Sequence, residues 1–201
     1  MKIVCLDLEG VLIPEVWVEF AEATGIDALK ATTRDIPDYD ELMQQRLRIL
    51  DEHGLKLPAI QEVIAGLEPL PGAKAFLDGL RESYQVIILS DTYYEFARPF
   101  MEQLDWPTLF CHRLEVSDEG QVTNYVLRQK DPKRQSVRAL KQLNYTVFAA
   151  GDSYNDTTML EEADAGFLFR APRNVIDEFP QYRVTEEYDT LRSFFDEAAR
   201  N

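Results

Sequence analysis

Cysteine is scarce in this chain: 201 residues contain two, Cys5 and Cys111. One pairing is arithmetically open. Cys5, however, sits in an apolar run, and neither cysteine belongs to a metal-ligand spacing, so both are read as free thiols. Long hydrophobic runs are lacking as well. The longest, such as VIIL and TVFAA, are strand-length, so no segment is suited to span a bilayer. The first residues show no basic region ahead of an apolar signal segment, and the expectation is a cytoplasmic protein. Positive charge is the third shortage. Lys and Arg number 21 against 36 Asp and Glu, for a formal net charge of −15. That balance argues against sequence-independent binding to nucleic acid or to an anionic membrane. The positive charge present is concentrated: Arg128, Lys130, Lys133, Arg134, Arg138 and Lys141 fall within fourteen residues that hold one acid, Asp131. A solvated basic helix face accounts for most of these. An anionic substrate would need one of them turned inward.

The chain is otherwise ordinary for a folded enzyme or binding domain, with 45% hydrophobic and 28% charged residues. A short apolar strand, KIVCLDLE, is followed from about Pro14 to Leu70 by helical rather than strand patterning. DYDELMQQRLRILDEHG has Asp38 or Asp40 as N-cap, Met43, Leu47 and Leu50 at helical spacing, and Gly54 as a stop. LPAIQEVIAG reads as a further short helix. The prolines of EPLPG then make a stiff connector. From Gly72 onward helices and strands alternate, which implies parallel strands with crossover helices. SDEGQVTNYVL breaks that rhythm with a glycine turn and predicts a small hairpin. The fold class expected is α/β: a doubly wound, mainly parallel sheet with a small helical cap inserted after the first strand. Residues 1–13 and 71–201 would form the core and residues 14–70 the cap, seated over the strand ends as a lid.

The question the sequence poses is why apolar strands end in polar groups. KIVCLDLE delivers Asp7 and Glu9, which strand alternation would point to one side. VIILSDT delivers Ser90, Asp91 and Thr92, TVFAAGDSYND delivers Asp152 and Asp156, and Lys133 opens a helix. Open α/β sheets collect ligands at that edge. The residue types suit phosphoryl transfer. Asp7 can attack phosphorus and form an aspartyl phosphate. Asp7 and Asp152, with a backbone carbonyl near Glu9, offer hard oxygen ligands suited to Mg²⁺, which offsets the repulsion between carboxylate and phosphate. Ser90 and the following N–H groups can bind phosphate oxygens, although a helix N-cap is an equal use for that serine. Lys133 can neutralise the remaining charge. Glu9 is left to act as acid and then base, which requires its pKa to rise from about 4.3 to roughly 6 or 7.

In the order DLEGVL, LPGAKAFLDGL, VIILSDT, KRQSVRAL and AAGDSYNDTTML, the chain resembles the haloacid dehalogenase superfamily, in its phosphoserine phosphatase branch. The resemblance implies Asp7 as nucleophile, Glu9 as acid/base, Ser90 as phosphate ligand and Lys133 as the neutralising lysine. It also implies Asp152 as metal ligand, Asp156 as support of the metal site and Asn155 near the substrate. The family usually carries Asp where this chain has Glu9, and two glycines where it has Asp91 and Thr92, which puts side chains beside the phosphate. This combination is similar to bifunctional enzymes that hydrolyse phosphoserine and also pass its phosphoryl group to homoserine. In the cap, the resemblance implies Arg46 as the partner of the substrate carboxylate and Glu15 as the partner of its ammonium. Small-molecule substrates, phosphoserine and homoserine, are the partners expected, with no nucleic acid, no membrane and a homodimer as one option.

Two other classes use similar parts. A dehalogenase also attacks through Asp but needs neither metal nor a second carboxylate two residues on. A receiver-type signalling module carries a phosphoaccepting Asp with Ser/Thr and Lys but has no helical insertion after its first strand. Another small phosphomonoester also remains a candidate substrate.

Overall fold

The computed structural model describes residues 1–32, 35–36 and 38–200. Its centre is a seven-stranded sheet. The strands are β1 (Lys2–Leu6), β2 (Gln85–Tyr93), β3 (Thr108–Val116), β4 (Val122–Val126), β5 (Thr146–Gly151), β6 (Ala165–Phe169) and β7 (Arg183–Thr185). Their order is β4-β3-β2-β1-β5-β6-β7. All neighbours pair in parallel except β3 and β4, the expected hairpin, which are antiparallel. The chain builds outward from β1 in both directions, so the topological switch point lies between β1 and β5, where such sheets bind ligands.

Strand parity divides the core into two layers. Val4, Leu6, Phe148 and Ala150 join the larger apolar cluster, and Ile3, Cys5, Val147 and Ala149 join the smaller one. Both faces of β1 are therefore dry, which explains why its sequence is continuously apolar rather than alternating. Helices α4 (Ala73–Arg81) and α9 (Tyr188–Ala198) cover the first face, while α6 (Pro132–Gln142) and α7 (Thr157–Glu162) cover the second. Burying each Leu, Val or Phe contributes about 1.5–3 kcal/mol. The two cysteines are buried and free.

Between β1 and β2 the chain forms α1 (Val16–Thr24), a 3-10 turn at Asp27–Lys30, α2 (Tyr39–Glu52) and α3 (Leu57–Ala65). Asp38, not Asp40, caps α2, its carboxylate accepting from the Glu41 N–H at 3.0 Å. The outgoing and returning chain run side by side, with the Leu70 N–H donating to the Leu12 carbonyl at 2.9 Å. This helical segment rests on α5 (Tyr94–Gln103) and on the β3–β4 hairpin through Gln61 to the Glu95 carbonyl (2.8 Å), the Leu57 N–H to the Gly120 carbonyl (2.9 Å) and the Tyr125 hydroxyl to the Asp40 carboxylate. Two short elements have no counterpart in the sequence reading, namely α8 (Arg173–Glu178) and β7.

Candidate active site

The same parity that sorts the core positions the carboxylates. Ile3 and Cys5 face α6, and Asp7, two residues further, continues that face. On β2, Ile87 and Leu89 pack in the same layer, so Asp91 follows them. Lys133, in the first turn of α6, meets both. Its Nζ lies 2.6 Å from Asp156 Oδ1, 3.0 Å from Asp7 Oδ1 and 3.6 Å from Asp91 Oδ2, and the lysine is only 2% exposed. The other cations of that stretch face elsewhere. Arg134 and Arg138 both bind Glu162, at 3.0 and 2.9 Å, and Lys141 binds Asp164 at 3.2 Å. One lysine of the basic cluster is turned inward, and it is the one the family resemblance indicated.

Gly10, against Asp152, and Gly151, against Asp156, make room for this cluster. A Cβ on Gly151 would stand 2.3 Å from the Asp156 carboxylate carbon. Asp156 is fully buried and accepts the Asp152 and Ser153 N–H groups on Oδ2, at 3.0 and 3.1 Å. Asp7, Asp152 and Asp156 bring carboxylate oxygens within 4.8 Å of one another. Three convergent hard-oxygen donors at a sheet edge fit a divalent cation such as Mg²⁺. The electrostatics agree, because without a cation the cluster resists ionisation. Burial, then Asp156, pushes Asp152 up to about 7. Burial and the charge of Asp156 likewise drive Asp7 well above the carboxylate range, with Lys133 opposing. For Lys133, burial alone would lower the pKa, but Asp156, Asp7 and Asp91 hold it well above its usual value.

Glu9 has contacts of its own at the start of the helical segment. Strand β1 ends at Leu6, and the chain turns through Gly10 (φ +75°), with the Gly10 N–H donating to the Ile13 carbonyl at 2.9 Å. Glu9 Oε2 accepts the Val16 N–H at the start of α1, at 3.0 Å. Burial, and next the charge of Glu15, raise its pKa to about 7, while the Thr92 hydroxyl and Arg46 offset part of that rise. The elevation that acid/base work requires is present, and it comes mainly from desolvation.

Ser90 is buried at the end of β2, and its Oγ accepts the Thr92 N–H at 3.2 Å. It is not a helix cap, since α5 begins at Tyr94 with Tyr93 in the capping position. Asp91 is held on both oxygens. Oδ2 accepts Asn155 Nδ2 at 2.7 Å, and Oδ1 faces His112 Nε2 at 3.4 Å. Burial would raise the Asp91 pKa, but Lys133, His112 and Asn155 together hold it below the normal carboxylate range.

Arg46 comes from α2. It lies on the buried face with Leu42, Met43, Leu47, Ile49 and Leu50, an apolar stripe in which a guanidinium is out of place. It stacks 4.5 Å above the Trp17 ring, and Nη2 donates to the Ala31 carbonyl at 2.8 Å. Its Nε is buried without a hydrogen-bond partner, and among the described residues no carboxylate lies within ion-pair distance. Burial lowers its pKa, with Tyr39, Glu9, Tyr93 and Glu15 acting in the opposite direction. Glu15, at the N-terminus of α1, is exposed, and its charge reaches both Glu9 and Asp152. It therefore stands at the mouth of the site. Tyr39 and Tyr93 join their hydroxyls at 2.7 Å across the same space.

The sequence-predicted residues thus fall into two adjoining groups. Asp7, Asp91, Lys133, Asp152, Asn155 and Asp156 form one, and Glu9, Glu15, Arg46 and Thr92 the other, with Ser90 on the same strand end as Asp91 and Thr92. Trp17, Tyr39, Tyr93 and His112 were not anticipated. Nothing in the sequence marks the three aromatic residues as part of the site, and His112 in TLFCHRLEV has no periodic signal. Arg46 was indicated by the family resemblance; a cation within the apolar stripe of α2 is the local signal that accompanies it.

Comparison with known proteins agrees with this geometry. A family model described as haloacid dehalogenase-like hydrolase matches residues 1–164. The chain is 69% identical over 195 residues to phosphoserine phosphatase ThrH of Pseudomonas aeruginosa, covering 97% of this chain and 95% of that protein. It is 64% identical over 199 residues to a phosphoserine phosphatase of Pseudomonas syringae pv. tomato, covering 99% and 84%. Among solved structures, a phosphoserine phosphatase in apo form superposes with a TM-score of 0.77 at 21% identity, over 97% of this chain and 98% of that one. A phospho-aspartyl intermediate analogue of phosphoserine phosphatase gives 0.74 at 20% identity, over 92% of each chain. At that identity the superpositions establish the fold.

Proposed function

Since the chain belongs to the haloacid dehalogenase-like hydrolase family, we propose that it is a Mg²⁺-dependent phosphoserine phosphatase working through a phosphorylated Asp7. The observation that carries the substrate is Arg46, a buried guanidinium with an unpartnered Nε and, among the described residues, no acid within ion-pair distance. A buried cation without a directly paired carboxylate is costly unless a ligand supplies one, and the carboxylate of an amino-acid phosphate would do so. The relatives named above, phosphoserine phosphatases by name, support the same reading.

In this reading residues 1–13 and 71–201 are the catalytic core and residues 14–70 the cap that selects the amino acid. Asp7, Asp152 and Asp156, with a carbonyl near Glu9, would hold the cation, which when bound offsets the charge of carboxylate and phosphate. Ser90, Lys133 and Asn155 take the phosphate end. Asp7 attacks phosphorus as the ester oxygen leaves, and Glu9, protonated near neutral pH, gives that oxygen its proton. Serine departs. Glu9, now a base, takes a proton from the hydroxyl that attacks the phosphoenzyme. Glu15 is assigned to the substrate ammonium.

Homoserine offers the same ammonium and carboxylate as serine with one further methylene, and a hydrophobic pocket discriminates a methylene by only about 1–3 kcal/mol. The vacated pocket would then admit homoserine in competition with water. The experiment is a panel of phosphomonoesters with Mg²⁺, run with and without a homoserine series, in which phosphate, serine and phosphohomoserine are quantified. Preference for phosphoserine supports the phosphatase reading, and equal use of esters lacking a carboxylate contradicts it. Phosphohomoserine formed at the expense of phosphate supports transfer, whereas phosphate equal to serine at saturating homoserine limits the enzyme to hydrolysis.

A further inference from the structure

Lys133 carries three N–H donors. Two are taken, by Asp156 Oδ1 at 2.6 Å and Asp7 Oδ1 at 3.0 Å. The third carboxylate, Asp91, stops at 3.6 Å, outside hydrogen-bond range. That separation needs an explanation, because a half-buried carboxylate beside a buried ammonium should close on it. Asp91 is restrained from the other side. Asn155 Nδ2 donates to Oδ2 at 2.7 Å, and His112 Nε2 faces Oδ1 at 3.4 Å.

The histidine is itself fixed. It is 2% exposed, and its Nδ1 accepts the Arg128 N–H at 3.1 Å. An accepting Nδ1 carries no proton, so the neutral ring has its hydrogen on Nε2, directed at Asp91. Arg128 in turn donates from Nη2 to the Pro132 carbonyl at 3.2 Å and to Ser136 Oγ at 2.8 Å, both on α6. The restraint on Asp91 is thus referenced to the helix that carries Lys133.

We propose that His112 is a positioning residue that holds the Asp91 carboxylate off Lys133, leaving one lysine N–H for an oxygen of the bound phosphate. The inference rests on the reading of this site as a phosphate-ester site. It explains how a chain with an aspartate in this position retains a lysine able to neutralise phosphate: the extra carboxylate is present but its approach is limited.

The test is calorimetric titration of the Mg²⁺-loaded protein with inorganic phosphate, with phosphoserine hydrolysis by the unsubstituted protein measured alongside. His112→Asn keeps an acceptor near Nδ1 but loses the donor aimed at Asp91. It should bind phosphate more weakly, on the order of tenfold, the scale of one charge-assisted hydrogen bond. His112→Gln, whose longer amide can donate where Nε2 does, should stay within about threefold of the original affinity. Asp91→Asn should bind phosphate at least as tightly as the unsubstituted protein. Adding Asp91→Asn to His112→Asn should restore most of what the histidine substitution loses. A merely structural histidine would leave the double variant as weak as His112→Asn, and that result overturns the proposal. So does unchanged affinity in His112→Asn, or weaker binding in Asp91→Asn. The expected phosphate pattern without phosphoserine hydrolysis contradicts the proposed function alone, while normal hydrolysis with no effect of His112→Asn on phosphate binding contradicts this inference alone.

Discussion

Gly10 lies against Asp152 so closely that a Cβ at position 10 would stand 2.5 Å from Asp152 Oδ2. Gly10 also has φ +75°, in the left-handed region that costs a residue with a side chain about 1–3 kcal/mol. The glycine that ends DLEG therefore serves both the turn leaving β1 and the space for the Asp152 carboxylate. Gly10→Ala should raise the Mg²⁺ concentration needed for half-maximal activity by roughly tenfold or more, the equivalent of about 1.4 kcal/mol. A magnesium titration checks it, and an unchanged midpoint would separate Gly10 from the cation site.

Glu9 is raised to about 7, mainly by burial and next by the charge of Glu15. Glu9→Gln keeps the shape and removes proton transfer, so turnover should fall by roughly 10²–10⁴-fold. Phosphate affinity, set by the other group of residues, should change little. A variant with a near-normal rate would move the acid/base role to another residue.

Arg46 is assigned to the amino-acid end. Arg46→Ala should raise KM for phosphoserine by roughly tenfold or more, on the scale of a lost charge-assisted contact. For a phosphate ester without a carboxylate it should change KM little. Parallel losses on both substrates would instead indicate that the guanidinium supports the cap through its Trp17 stacking.

The sequence displayed the ends of the strands better than what lies between them. Asp7, Asp91 and Asp152 were legible because an apolar run ending in an acid is a local pattern. Lys133 could be chosen from six cations only through the family resemblance, since its inward orientation depends on how α6 packs on the sheet. Glu9 was legible as the carboxylate two residues beyond Asp7, whereas its contacts with Val16, Thr92 and Arg46 come from other elements and were not. His112 was illegible: a single polar residue in an apolar strand acquires meaning only when its two ring nitrogens find Arg128 and Asp91 from other elements. Helix α8 and strand β7 were missed because six and three residues are too few to display a period.

Protonation of the cluster gives stability a defined pH dependence. Asp152, at about 7 in the folded protein against about 3.9 unfolded, binds its proton more tightly when folded. The resulting stabilisation is full below about pH 4 and is lost as pH rises through about 7. Glu9 acts with the same sign. Asp91, held low, has the opposite sign, but only below about pH 4. Metal-free protein should therefore melt at a lower temperature near pH 8 than near pH 5, and Mg²⁺, which binds the ionised carboxylates, should recover the loss at the higher pH. Thermal melts with EDTA or Mg²⁺ at the two pH values check this, and a metal-free melting temperature that rises with pH would contradict the assignment.

The central claim is that Asp7 carries the phosphoryl group between serine and the acceptor. It is tested most directly by mixing the Mg²⁺-loaded protein with phosphoserine, quenching in acid within one turnover and mapping phosphate onto peptides by mass spectrometry. The account predicts phosphate on the peptide containing Asp7, on the carboxylate of that residue, decaying as free phosphate appears and absent from Asp7→Ala. Phosphoserine hydrolysis at a normal rate by Asp7→Ala, or trapped phosphate on any other residue, would contradict it.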